Sequence, residues 1–215
     1  MKKLLVAICA MMLSASSFAQ YSSGGFTLDQ ENVYWGFRVG LSSARISVEH
    51  GDGLDARAGL TLGGVVGLRC SNSVPVFLES GLYYTERGGK KDDYKVRLSY
   101  LEVPVLIKYG IQPFKNQEGL KDLAFIPFFG PTFAIGIAGQ TKDFDDNGKS
   151  YKHDSFGTDN DRFKRFDCGV KLGCGIEYNM VYLEAGYQWG VANISNDDNN
   201  DARNNNFFLN FGVNF

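Results

Sequence analysis

The stretch from Asn205 to Phe215 sets the tightest limit on how this 215-residue chain can fold. Phe207, Leu209, Phe211, Val213 and Phe215 share one parity, while Phe208, Asn210, Gly212 and Asn214 share the other. A strand turns successive side chains to opposite faces, so this run is a strand with one apolar face and one mostly small or polar face. An apolar strand left at a sheet edge is a template for aggregation. A closed barrel removes the edge by pairing its last strand with its first.

The same alternation recurs upstream. Strand one is expected over Asn32–Ile46, with Trp35, Phe37, Val39 and Leu41 on one side and Tyr34, Gly36, Arg38 and Gly40 on the other. Strands two to seven follow at Ala58–Arg69, Pro75–Arg87, Lys95–Ile111, Leu123–Ala138, Phe163–Tyr178 and about 180–191, and strand eight closes the chain. Ser71-Asn72-Ser73 and Asn179 carry turn chemistry. Glu49–Arg57, Gly88–Tyr94, Gly139–Arg162 and Ser195–Asn204 read as polar loops, and Gln112–Asp122 as the longest connection at the opposite end. Pro127 and Pro131 fall inside strand five, where a missing N–H interrupts regular pairing.

Four loops at one end and three turns at the other describe an eight-stranded antiparallel up-and-down barrel, with both termini on the turn side, as an outer membrane requires. A soluble ligand-binding barrel would reverse the faces, placing apolar side chains inward. The polar face argues against it, being dense in glycine with isolated charges rather than rich in Lys and Glu. Lipid then explains the apolar face, and a narrow lumen explains the other. Trp35, Tyr84, Tyr109, Tyr178, Trp189 and Phe215 suit interfacial girdles.

Met1-Lys2-Lys3, the apolar run Leu4–Leu13 and the small residues ending in Ser17-Phe18-Ala19 read as a secretory signal peptide over 1–19, cut before Gln20. The run is too short for a comfortable membrane anchor. Residues 20–31 form a polar leader and 32–215 the barrel domain. The net charge of −2 argues against nucleic acid as a partner. Cys70, Cys168 and Cys174 survive processing, an odd number that does not make a disulfide framework.

Tyr100-Leu101-Glu102-Val103-Pro104-Val105-Leu106-Ile107-Lys108-Tyr109 resembles a strand typical of the PorT-like outer-membrane β-barrel family of Bacteroidetes, a group of small barrels of the OmpA/OmpX type. Gly36–Leu41, Phe129-Gly130-Pro131 and Phe215 are similar as well. The resemblance implies an eight-stranded barrel in the outer membrane of a Gram-negative bacterium, with outer-membrane lipid and the barrel-assembly machinery as partners. It implies no single activity, although the founding member is linked to secretion. Phe215 looks like the aromatic terminal signal that the assembly machinery reads in similar proteins.

Three constellations are candidates for chemistry. Arg38, Arg69, Lys108 and Lys171 share the inward face with Glu79, Glu102, Asp167, Glu177 and Glu184. Buried charges must be paired, so the set reads as an ion-paired plug, against a narrow channel or a catalytic carboxylate pair. Asp143, Asp145, Asn147 and Asp154 match the first, third, fifth and twelfth positions of a calcium loop, with Gly148 at the sixth. Position twelve lacks the usual Glu and no helices flank the loop, so a solvated surface loop is the competing reading; no other cofactor is expected. His50 and His153, with Ser47, Ser150 and Ser155, lie where a lipid-modifying barrel enzyme would hold its groups, but no motif joins them. The expectation is a non-enzymatic barrel that acts through structure or through protein partners at its outer loops.

Overall fold

The computed structural model describes residues 32–48, 53–91, 94–114, 116–117, 119–144, 150–157, 163–196 and 201–215. The strands are β1 (Val33–Val48), β2 (Asp55–Arg69), β3 (Val76–Lys91), β4 (Tyr94–Tyr109), β5 (Leu123–Phe144), β6 (Ser150–His153), β7 (Phe166–Tyr178), β8 (Val181–Gly190) and β9 (Ala202–Asn214). All pairs are antiparallel. The sheet runs β4-β3-β2-β1-β9-β8-β7-β5, and β4 also pairs with β5, so these eight strands close on themselves. β6 lies outside the circuit and folds back on the Thr141–Phe144 end of β5.

Closure depends on β9, the last strand. β9 pairs with β1 from Gly36–Asn214 to Val48–Ala202. Beyond it, Trp35 and Phe215 exchange both backbone hydrogen bonds, at 3.0 and 2.7 Å. One circuit of directly paired residues passes from Val33 to Leu68, Leu78, Ile107, Phe129, Leu172, Tyr187 and Phe207 and returns to β1 at Ser43. That advance of ten residues, 33 to 43, is the stagger of the barrel. Stagger forces the strands to tilt, by roughly 35–45° in such closed sheets, and eight strands leave an interior that side chains just fill.

The faces are inverted relative to a soluble protein. Trp35 and Leu41 are each 63% exposed, whereas Arg38 between them is 1% exposed. Phe129, Ile135, Phe166, Leu172 and Phe211 are also exposed, and Glu79, Glu102 and Asp167 are buried. A continuous apolar exterior of this extent is a surface for a nonpolar solvent.

The prolines are absorbed without a change of register. Pro104–Thr132 and Ile107–Phe129 belong to one register, and only the two positions between them, at Pro131 and Gly130, go unpaired. The β3–β4 ladder likewise skips Gly81 and Leu82 opposite Pro104 and Val103, and Ser80 Oγ donates to the Pro104 carbonyl at 2.8 Å. Both Pro127 and Pro131 point outward, on the parity of Phe129 and Phe133, and Pro127 still faces Cys174 on β7.

Three expected loops are shorter than the sequence suggests. Gly88–Tyr94 is mostly the end of a hairpin, because β3 runs on to Lys91 and β4 begins at Tyr94. Gly88 adopts φ 131°, a conformation that glycine allows inside the ladder. β2 starts at Asp55 rather than Ala58, with a register shift between Ala56 and Thr61. The 139–162 segment is not all loop: β5 continues to Phe144 and pairs with β6. Polar side chains misled the reading here, since strands that project beyond a membrane need no apolar face.

Candidate functional site

The inward charges form two stacked groups along the barrel axis. In the group nearer the turns, Lys108 Nζ lies 2.9 Å from Glu79 and 3.5 Å from Glu184, and Arg38 lies 3.6 Å from Glu79. Tyr182 stands between the two cations: the Arg38 guanidinium is 4.2 Å and Lys108 Nζ 4.6 Å from its ring centre. Lys108 also donates to the Tyr182 hydroxyl at 2.9 Å. Tyr34 donates to Glu79 at 2.6 Å and Asn210 to Glu184 at 2.8 Å. Asn214 accepts from Arg38 at 2.7 Å through its carbonyl and donates its amide to Glu177. These residues come from β1, β3, β4, β7, β8 and β9, so the group ties strands across the lumen.

Arg87 of β3 is the hub of the group nearer the loops. One nitrogen donates to Asp167 of β7 at 2.9 Å, and the other meets Glu102 of β4 and donates to Gln188 of β8 at 3.0 Å. Gln188 donates onward to Thr132 of β5 at 2.8 Å. Lys171 donates to Glu102 at 2.6 Å and lies 4.8 Å from the ring centre of Phe208, which stacks on Phe128. Desolvated charges held this way are fixed by several partners each.

Buried apolar residues pack beside both groups. At the loop end Ile46, Val96, Leu98, Tyr100, Ala134, Phe156, Ile194 and Ala202 form a buried cluster. Phe156 enters it from the connection between β6 and β7 and packs edge-on to Tyr100, ring centres 5.7 Å apart. Gly136 makes room, because a Cβ there would overlap the Phe156 ring. Thr141 and Ser155 share a hydrogen bond of 2.7 Å, and Asp154 caps the Phe156 N–H at 3.0 Å. Tyr34, Val65, Phe77, Tyr83, Ala124, Ile126 and Tyr182 form a second buried cluster around the turn-side group. A cavity of about 10 Å³ remains beside Glu177 and Lys108, space for about one water.

Eight of the nine residues assigned to the inward charge set from sequence lie in these two groups. Arg69 stands apart, at the turn-side end of β2, where its Nε donates to the Ser71 carbonyl at 2.9 Å and its guanidinium lies 5.6 Å from the Phe77 ring centre. Arg87 was missed, together with its partners Gln188 and Thr132. The parity of Phe77, Glu79 and Tyr83 points to it, but Gly88-Gly89-Lys90-Lys91 looked like a loop and placed Arg87 at a strand end.

Of the calcium pattern, Asp145 and Asn147 lie outside the described residues. Asp143 belongs to β5 and pairs with Tyr151 of β6, and the Asp154 carboxylate is engaged by the Phe156 N–H. No group of three or more metal-binding side chains occurs among the described residues. His50 lies outside the described residues, and His153 ends β6. Ser155 is buried on Thr141. Cys70, Cys168 and Cys174 are free thiols.

Residues 18–196 match the family model described as outer membrane protein beta-barrel domain. No curated protein matches the chain. Several solved structures are similar to the chain. Ail, the attachment invasion locus protein of Yersinia pestis, is 14% identical with a TM-score of 0.46, over 86% of this chain and 100% of that one. Neisserial surface protein A is 15% identical with a TM-score of 0.48, over 86% and 98%. OprG from Pseudomonas aeruginosa is 11% identical with a TM-score of 0.35, over 88% and 99%.

Proposed function

This chain belongs to the outer membrane protein beta-barrel domain family, and from that premise we propose that it is a sealed, non-enzymatic barrel of the Gram-negative outer membrane, acting at the cell surface through its loops. The observation that carries the reading is the filling of the lumen: two ion-paired groups centred on Arg87 and on Glu79 with Lys108, packed with a buried apolar cluster at the loop end and another around the turn-side group. Opening a water path would require separating desolvated ion pairs, each several kcal/mol to break. The paired geometry also favours a structural role for the carboxylates over acid–base work, since each is held by a cation or an amide.

Loops outward and termini inward follow from the length asymmetry of the connections. The role at the surface is envelope architecture or recognition of a protein partner, with the secretion accessory implied by the PorT-like resemblance as one form of it. A liposome-swelling assay tests the seal. Vesicles carrying the folded protein should take up small sugars no faster than empty vesicles; uptake that scales with protein content would replace this reading with a narrow diffusion channel.

A further inference from the structure

Phe156 sits in a socket that the barrel wall is shaped to hold. Gly136 and Gly139 of β5 pair with Tyr100 and Leu98 of β4, so β5 takes one residue more than β4 over that step. The extra residue makes a β-bulge. It brings onto one inner face two glycines that regular alternation would send to opposite faces. Both lie against the same ring, since a Cβ added at either would overlap Phe156. Tyr100 meets the ring edge-on, and the Arg165 guanidinium lies 5.2 Å from its centre while donating to the Gly136 carbonyl at 3.0 Å. The bulge and both glycines thus serve a side chain that none of the eight closed strands contributes.

Two connections are tied to that ring and to each other. Within the β6–β7 connection, the Phe163 N–H donates to the Ser155 carbonyl at 2.8 Å and the Gly157 N–H to the Phe163 carbonyl at 3.3 Å, gripping Phe156 from both sides. The Lys164 N–H donates to the Ile194 carbonyl of the β8–β9 connection at 2.8 Å, and the Asn196 amide donates to the Gly157 carbonyl at 2.6 Å. Ile194 is buried in the same cluster as Phe156, and its N–H donates to the Ala202 carbonyl at 2.9 Å, where β9 begins. Hydrogen bonds at a rim compete with water and hold little by themselves. Burial of the aromatic ring is what keeps these segments down.

We propose that Phe156 is a lock: seated in the Gly136–Gly139 socket, it fixes the β6–β7 and β8–β9 connections to the barrel together. The relief of the loop-end surface then depends on one side chain. Unseating the ring frees both connections and leaves the eight-stranded circuit closed, because no ladder pair of that circuit includes residues 154–157. The lock is independent of the seal and of which way the barrel faces, so it stands or falls apart from the function proposed above. For a barrel that works through its loops, it names the residue that gives them their shape.

The test uses the full chain folded in detergent micelles, with amide hydrogen exchange read residue by residue. In Phe156→Ala, exchange at Lys164 and Ile194 should quicken together by about a hundredfold, as loss of a buried ring weakens a local closing equilibrium. Val39 and Leu209, in the circuit, should keep their rates. Gly136→Ala, which crowds the socket and leaves Phe156 in place, should quicken the same two amides. An apolar space of ring size takes up benzene, so benzene should slow both amides again in Phe156→Ala. Unchanged exchange at Lys164 and Ile194 overturns the proposal, and so does a change at one of them alone. Loss of heat-modifiable migration by both variants overturns it too, because the ring would then be holding the circuit itself.

Discussion

Arg87 is 1% exposed and bridges Glu102 and Asp167 inside the barrel. Removing its charge leaves two carboxylates desolvated and facing a common space. Arg87→Met should therefore cost about 3–5 kcal/mol, the range for breaking a buried pair. Arg97→Met removes a partner of Glu86 from a side chain that is 55% exposed, and should cost no more than about 1 kcal/mol. Urea unfolding followed by heat-modifiable migration compares the two; equal losses would deny the hub role of Arg87. The sequence displayed the inward parity of Glu79, Glu102 and Lys171, but parity cannot say which cation a carboxylate meets. Those partners sit on strands far apart in the chain, so the links become visible only once the circuit closes. Phe156 marks the same limit, because its place in the mouth depends on Gly136 of β5, directly against its ring.

Among the elements, the strands were legible where they cross lipid and not where they project beyond it. Within the crossing, an apolar solvent enforces alternation; above it, β5 continues through Thr141 and Lys142 on backbone pairing to β4 and β6. The β7–β8 hairpin was read from Asn179, which adopts φ 55°. Left-handed backbone suits Asn and penalises β-branched residues. Asn179→Val should destabilise the barrel by about 1–2 kcal/mol, and Asn179→Gly should not; equal unfolding midpoints for the two variants would contradict the turn assignment. The closing strand gives a second prediction. Deleting Phe215 removes both backbone bonds to Trp35 and the terminal aromatic residue, so assembly in cells should fall sharply. Normal insertion and heat-modifiable migration of the truncated chain would count against that role.

At the scale of the whole molecule, an apolar exterior and a charged, filled interior make one account: lipid takes the place of water outside, and paired side chains take the place of water inside. The account also predicts a mature chain beginning at Gln20, which N-terminal sequencing of protein recovered from outer membranes would check; a chain retaining Leu4–Leu13 would contradict it. Barrel closure followed from the Phe207–Phe215 alternation together with the strands upstream. The proposed seal did not, because rows of inward charge are compatible with a plug and with a polar pore. Single-channel recording of the folded protein in planar bilayers tests the seal most directly. The account predicts a flat baseline at voltages where the bilayer itself is stable; reproducible, discrete openings that change in size when Arg87 or Lys108 is replaced would contradict it.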